Sequence, residues 1–171
     1  MTNEIEETMK QLPAYDYEVI LVNDCSPDGT LETIKTLCRE KKNFTGIDLA
    51  KNFGQHSALM AGLRCTKGDL AVCLDDDGQT PANEVGKLLS GIEQGADVVY
   101  ARYGKKHHSG FRNFGSHVNE LMTRVMLGKP KELFVSSYFA ARRFVVEEMV
   151  KYENSYPYVI GLVLRTTKNI V

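Results

Sequence analysis

The segment 70–81, LAVCLDDDGQTP, runs from apolar residues into three adjacent carboxylates, Asp75, Asp76 and Asp77. Three like charges in a row repel one another, so their presence asks for something that they jointly hold. If residues 70–74 form a strand, successive side chains alternate, and Asp75 and Asp77 point one way with Asp76 opposed. Two carboxylates converging with the side-chain oxygen of Gln79 suit a hard divalent cation, Mg²⁺ or Mn²⁺. Such an ion takes few protein ligands and keeps positions for substrate phosphate. The competing reading of the same residues is an acidic turn that caps a helix beginning at Pro81. An EF-hand is excluded, because its first ligand would be Cys73 and a strand rather than a helix comes before it.

Two further stretches carry chemistry. In VNDCSPDGT (22–30) Asp24 stands at a strand end, where a carboxylate can accept hydrogen bonds from a base or a ribose. Asp28, Gly29 and Thr30 open the next helix, and the plainer alternative is that Asp28 or Thr30 only caps it. In AKNFGQHSALMAGL (50–63) Lys51, Asn52 and Gly54 come just before a helix N-terminus. Backbone N–H groups and a cation at such a place can receive phosphate oxygens. His56, taken singly, reads as a surface or capping histidine.

The elements that must position these residues alternate in kind. Helical spacing over 6–12 is followed by the β-branched run 17–23, then a turn and a helix over 31–42 with Leu31, Ile34, Leu37 and Cys38 on one face. A strand over 44–50 leads through the loop KNFGQ to a helix over 56–66, closed by Lys67 and Gly68. Strands over 69–74 and 97–101 flank a helix that starts at Pro81 and stops at Gly95. This order predicts an α/β fold, a mostly parallel central sheet flanked by helices and Rossmann-like in its crossovers. Ligands of such sheets lie beyond the carboxyl ends of the strands, so Asp24 and the Asp75 cluster should share one rim. Beyond Ala101, residues 102–110 read as a basic, glycine-flanked loop, and 111–128 as a helix carrying Phe111, Phe114, Val118, Leu121, Met122 and Val125.

Composition bounds the rest. A chain of 171 residues with 43% hydrophobic and 25% charged residues is one globular domain. A formal net charge of -1 leaves no electrostatic footprint for nucleic acid. Cys25, Cys38, Cys65 and Cys73 lack paired spacing, so they read as reduced packing residues rather than a zinc site or a disulfide scaffold. The acidic, amphipathic start is no signal peptide, and no apolar run reaches the ~20 residues that cross a bilayer.

Taken in order, these stretches resemble the family 2 glycosyltransferases, GT-A fold enzymes that use nucleotide-diphospho-sugars. The likeness is nearest to the branch that glycosylates polyprenyl phosphates, such as dolichol-phosphate mannose synthases and bacterial undecaprenyl-phosphate sugar transferases. VILVNDCSPDGT resembles the family's Asp-x-Ser-x-Asp-Gly-Thr turn, and LAKNFGQHSALMAGL its Arg-Asn-Phe-Gly segment, with Lys51 in place of Arg. CLDDDGQTPANEVGKLL resembles its Asp-x-Asp-x-Gln-x-Pro metal motif, with Gly78 where a packing Leu is usual. FRNFGS and FVSSYFAARRFVVEEM resemble acceptor-side segments.

The resemblance implies roles. Asp24 would contact the base, and Asp75 would meet the nucleotide near the ribose or the metal. Asp77 and Gln79 would hold Mg²⁺ or Mn²⁺ on the diphosphate, while Asp76, turned aside, stays in the nucleotide-side set with Asp24, Lys51, Asn52, Gly54 and Asp75. Arg112 and Ser136, with Arg142, would position the acceptor, and Lys105, Lys106, His107 and His108 fall in its acceptor loop. The implied reaction is an inverting, metal-dependent transfer of a sugar from a nucleotide-diphospho-sugar, a UDP-sugar, to a polyprenyl phosphate at the cytoplasmic face of the membrane.

Two alternatives stay open: a saccharide acceptor, for which Glu132 is the nearest acid, and a non-enzymatic domain that serves a membrane subunit. A homo-oligomer is left open too. A Rossmann dinucleotide binder is set aside for want of G-x-G-x-x-G. Against the family pattern the chain is expected to lack a first strand before Met1 and a membrane region after Val171.

Overall fold

The computed structural model describes residues 1–76, 80–102 and 133–171. Six helices occupy Thr2–Lys10 (α1), Thr30–Glu40 (α2), Gln55–Cys65 (α3), Val85–Glu93 (α4), Arg143–Val150 (α5) and Val159–Thr166 (α6) among them. Strands among the described residues occupy Val19–Asn23 (β1), Phe44–Asp48 (β2), Leu70–Cys73 (β3), Val98–Tyr100 (β4) and Phe139–Arg142 (β5). The helix expected from Pro81 begins instead with a 3₁₀ turn over Ala82–Glu84, and Pro81 caps that turn in extended conformation. The helix expected over 111–128 lies outside the described residues.

β1 and β2 pair in parallel, from Val19 opposite Phe44 to Asn23 opposite Asp48. β3 and β4 do not touch. β5 lies between them and runs antiparallel to both, with Ala71 and Val98 each opposite Ala141. β3 and β4 therefore point the same way, as expected, but through an antiparallel strand that the sequence pattern did not disclose. The chain's last residues extend this sheet, since Ile170 bridges Val98 in parallel and Val171 exchanges backbone hydrogen bonds with Val98 and Tyr100.

Strand periodicity splits the core of this sheet into two faces. Cys73, Val98, Tyr100, Phe139 and Ala141 face Met60 and Leu63 of α3, Val145 and Met149 of α5, and Val159 and Val163 of α6. Val99, Tyr138 and Ala140 face Val85, Leu88, Leu89 and Ile92 of α4. A sheet covered by helices on both sides is the layered solution that buries each strand twice.

Helix α3 ties the two sheets together. Its Met60 and Leu63 belong to the core beside β3, while a side chain at Gly62 would lie 3.2 Å from Val22 of β1. At their other ends, Glu18 ahead of β1 accepts the Lys67 N–H ahead of β3 at 2.6 Å. A closer approach occurs on the opposite face, where a Cβ at Gly91 would lie 2.8 Å from Val99 Cγ2. Val99 is a stiff, buried β-branched residue that cannot yield. Gly91→Val should cost about 1–3 kcal/mol through overpacking, read as a lowered midpoint in urea unfolding.

Candidate functional site

The rim predicted from the sequence exists, and the start of α3 connects its two halves. Asp24 directly follows β1, and its carboxylate accepts the Phe53 N–H at 2.7 Å and the Gly54 N–H at 2.8 Å. From the next residue along, Gln55 Nε2 donates to Asp75 Oδ1 at 2.8 Å. Three consecutive residues thus link the carboxyl ends of β1 and β3. The turn after Asp24 is tight. Cys25 sits at φ 56, a left-handed conformation uncommon outside glycine, and Asn23 Oδ1 accepts the Ser26 N–H at 3.1 Å. Buried Asn23 also donates to Asp48 Oδ1 at 2.8 Å, locking β1 to β2 at this end.

This geometry refines two expectations. The N–H of Gly54, expected to receive phosphate, is committed to Asp24, and Gly54 at φ 86 needs its glycine to make the bend. Lys51 and Asn52 are exposed, and the Lys51 ammonium stands 4.9 Å over the Phe53 ring. Asp28 acts as the plainer reading had it: its Oδ1 accepts the Thr30 N–H at 3.0 Å, and the Thr30 hydroxyl, with this N–H second, holds its carboxyl below the usual range.

Asp75 is held from three sides. Besides Gln55 on Oδ1, Ser137 Oγ donates to its Oδ2, and Thr80 Oγ1 donates to its backbone carbonyl. Buried Thr80 and the Tyr138 hydroxyl, which donates to the Pro81 carbonyl at 3.0 Å, pin the far side of the acidic turn. A carboxylate oxygen has two lone pairs, so among the described residues each Asp75 oxygen has one partner and capacity for a hard cation or a further donor. Its donor chemistry fits Mg²⁺ or Mn²⁺, although among the described residues no three His, Cys, Asp or Glu side chains gather. Asp76 is exposed. Asp77, Gly78 and Gln79 lie outside the described residues, as do Arg112, Glu132, Lys105, Lys106, His107 and His108.

On the acceptor side, Ser136 lines a cavity beside Asp75, and its neighbour Ser137 reaches Asp75 itself. Ser136 Oγ lies 3.0 Å from the Ala101 carbonyl and 2.8 Å from that of Tyr138, so its proton is spent on backbone where the chain enters β5. Ser137 makes the contact with Asp75. Strand parity held the clue, because Ser137 shares its side with Phe139 and Ala141 while Ser136 goes with Tyr138 and Ala140.

Arg142 is a correction. It lies opposite Leu70, at the end of β3 remote from Asp75, and its guanidinium donates to the Ala96 carbonyl at 2.9 Å and the Ile92 carbonyl at 2.6 Å. It closes the C-terminus of α4, where a cation is favoured, and plays no part at the rim.

Beside Asp75 opens a cavity of about 260 Å³ lined by Gln55, His56, Leu59, Ser137, Phe139 and Tyr158, among others. The His56 ring meets Tyr158 edge to face, centroids 5.4 Å apart at 79°. Burial lowers the His56 pKa from the usual histidine value, which favours the neutral ring. Cys73, buried beneath, has its thiol pushed up to about 12 and is no nucleophile, and all four cysteines are free.

The family model for glycosyl transferase family 2 matches residues 3–150. A Photorhabdus laumondii protein named undecaprenyl-phosphate 4-deoxy-4-formamido-L-arabinose transferase is 37% identical over 143 residues, covering 83% of this chain and 44% of that protein. Its namesake in Pseudomonas fluorescens is 32% identical, with 85% of this chain and 43% of the other covered. The chain thus spans under half the length of these relatives.

Among solved structures, S. aureus TarS 1–349 in complex with UDP-GlcNAc matches with a TM-score of 0.54 at 17% identity, over 98% of this chain and 51% of the other. The mannosyltransferase PcManGT from Pyrobaculum calidifontis, in complex with GDP-Man and Mn²⁺, matches with a TM-score of 0.51 at 22% identity, over 86% and 43%. At such identities these two speak for the fold alone. With a family match over most of its length, close relatives above 30% identity and a rim built at the strand ends, the chain belongs to glycosyl transferase family 2 and has its GT-A fold.

Proposed function

We propose that this chain is the catalytic domain of an inverting, metal-dependent glycosyltransferase that moves a sugar from a UDP-sugar to a polyprenyl phosphate. The observation that carries the reading is Asp75, fixed by Gln55 and Ser137 on the same rim as Asp24, in a chain similar to transferases named for undecaprenyl phosphate. In the reaction, an acceptor phosphate oxygen bonds to the anomeric carbon from the face opposite the leaving group. The bond from that carbon to the diphosphate breaks, and its electron pair leaves with UDP.

The acceptor is already an anion, so no general base is required and orientation is the main demand. Asp24 fixes the loop that carries Lys51 and Asn52, and their side chains serve the donor's phosphates. Ser137 and Gln55 aim the Asp75 carboxylate. A Mg²⁺ or Mn²⁺ held by Asp75, Asp77 and Gln79 would neutralise the charge on the departing diphosphate. Arg112 and Ser136 belong to the acceptor side. No described helix is long and apolar enough to cross a membrane. A lipid-borne acceptor would bring this domain to the cytoplasmic membrane face.

Calorimetric titration of UDP and UDP-sugars, with and without Mn²⁺, tests the reading. The expected result is binding that requires the metal and disappears in Asp77→Ala. Absence of binding at every Mn²⁺ concentration would overturn it.

A further inference from the structure

The chain entering β5 grips the acidic turn at both ends. Ser137 Oγ donates to the carboxylate of Asp75, where the turn begins. The next residue, Tyr138, donates its hydroxyl to the Pro81 carbonyl at 3.0 Å, where the turn closes. We infer that Tyr138 is a positioning residue for the metal: its hydroxyl, acting through Pro81 and Thr80, sets how Asp75 is presented to a divalent cation. The inference rests on the proposed metal-dependent reaction, and it adds a residue that acts on the metal without touching it.

Packing does not account for the hydroxyl. Tyr138 is fully buried, and its ring belongs to the apolar cluster that Val85, Leu88, Leu89 and Ile92 of α4 form against the sheet. Phenylalanine would fill that space with nearly the same volume and without a buried polar atom to satisfy.

The path from Tyr138 to Asp75 is short and stiff. Pro81 has its φ fixed by the ring, at −72, so a hold on its carbonyl also holds the chain just ahead of it. That chain is Thr80, which is buried and returns its own hydroxyl to the Asp75 backbone carbonyl. Metal ligands must be held to within about 0.5 Å of their working geometry, so slack in this path reaches the ion.

The Pro81 carbonyl also separates this role from a structural one. It has two lone pairs, and the second accepts the Glu84 N–H at 3.2 Å, which starts the 3₁₀ turn over Ala82–Glu84. Loss of the Tyr138 hydroxyl therefore leaves the carbonyl paired and the helix start intact. Only the turn loses an anchor.

Tyr138→Phe keeps the ring and deletes the hydroxyl alone. UDP affinity is measured by calorimetry across a series of Mn²⁺ concentrations, with urea unfolding in parallel. The Mn²⁺ concentration for half-maximal UDP binding should rise about three- to tenfold. In saturating Mn²⁺, UDP affinity should return to within about twofold of wild type, and the unfolding midpoint should hold. Sugar transfer by Tyr138→Phe should likewise recover in excess Mn²⁺, whereas that of Asp75→Ala should not.

An unchanged Mn²⁺ demand in Tyr138→Phe overturns the inference. So does a loss of UDP affinity that is equal at every Mn²⁺ concentration, or an unfolding midpoint that falls with it, since the hydroxyl then serves the fold. Each of these results can stand beside a wild type that binds UDP with Mn²⁺, and then the proposed function survives. Wild type that binds no UDP at any Mn²⁺ concentration overturns the proposed function, and the inference with it.

Discussion

Asp75→Ala should lower sugar transfer by roughly 10²–10³-fold and abolish Mn²⁺-dependent binding of UDP, with little change in the unfolding midpoint. The size follows from where the carboxylate sits. Gln55 and Ser137 each spend a donor to aim it, and Thr80 holds its backbone, so its orientation is set before any substrate arrives. Removing it deletes a pre-aimed negative group, whereas removing Ser137 only loosens one. Ser137→Ala should therefore cost about tenfold, and the double variant should be no worse than Asp75→Ala alone. Transfer of labelled sugar to a short polyprenyl phosphate, with metal-dependent UDP binding measured in parallel, gives both readouts. If Asp75→Ala stays within about threefold of wild type in both, the residue is only a tether for α3.

The second large effect concerns Asp24. Its carboxylate receives two backbone N–H groups, from Phe53 and Gly54, and both bonds are charge-assisted. Asp24→Ala removes the pair at a local cost of about 2–4 kcal/mol, given ~1.5–3 kcal/mol for each and incomplete additivity. Because the bonds hold a loop and not the core, the loss should appear locally. Hydrogen exchange at the Phe53 and Gly54 amides should quicken by roughly 30–1,000-fold, while amides of β5 hold their protection. Nucleotide affinity should fall along with it, since the same loop presents Lys51 and Asn52. Unchanged protection at these two amides would show that the loop stands without Asp24. Asp24→Asn should do almost as badly, because its amide sets a donor against an N–H.

Much of the scaffold under these residues was legible in advance. β1 to β4 announce themselves as short β-branched or apolar runs between turn residues, and α2 to α4 by their apolar faces. The shared rim followed from strand direction alone. β5 escaped because only Phe139 favours a strand while Ala140, Ala141 and Arg142 do not, and its two neighbours make it one. Its direction was hidden too, and with it the fate of Arg142, which a parallel strand would have carried to the other end of the sheet. His56 was illegible for a related reason. Its sequence neighbours describe a helix start, while the partner that gives it meaning, Tyr158, comes from near the far end of the chain.

The place of β5 also governs the order in which the molecule can assemble. β3 and β4 are made early, yet among the described residues neither has an in-sheet neighbour until β5 emerges, with Ala71 waiting for Ala141. Closing so long a loop is slow, and the two waiting strands present bare backbone edges in the meantime. Folding of the nascent chain should thus turn on a single late insertion. That same insertion delivers Ser137 to Asp75, so the site is finished in the step that closes the sheet.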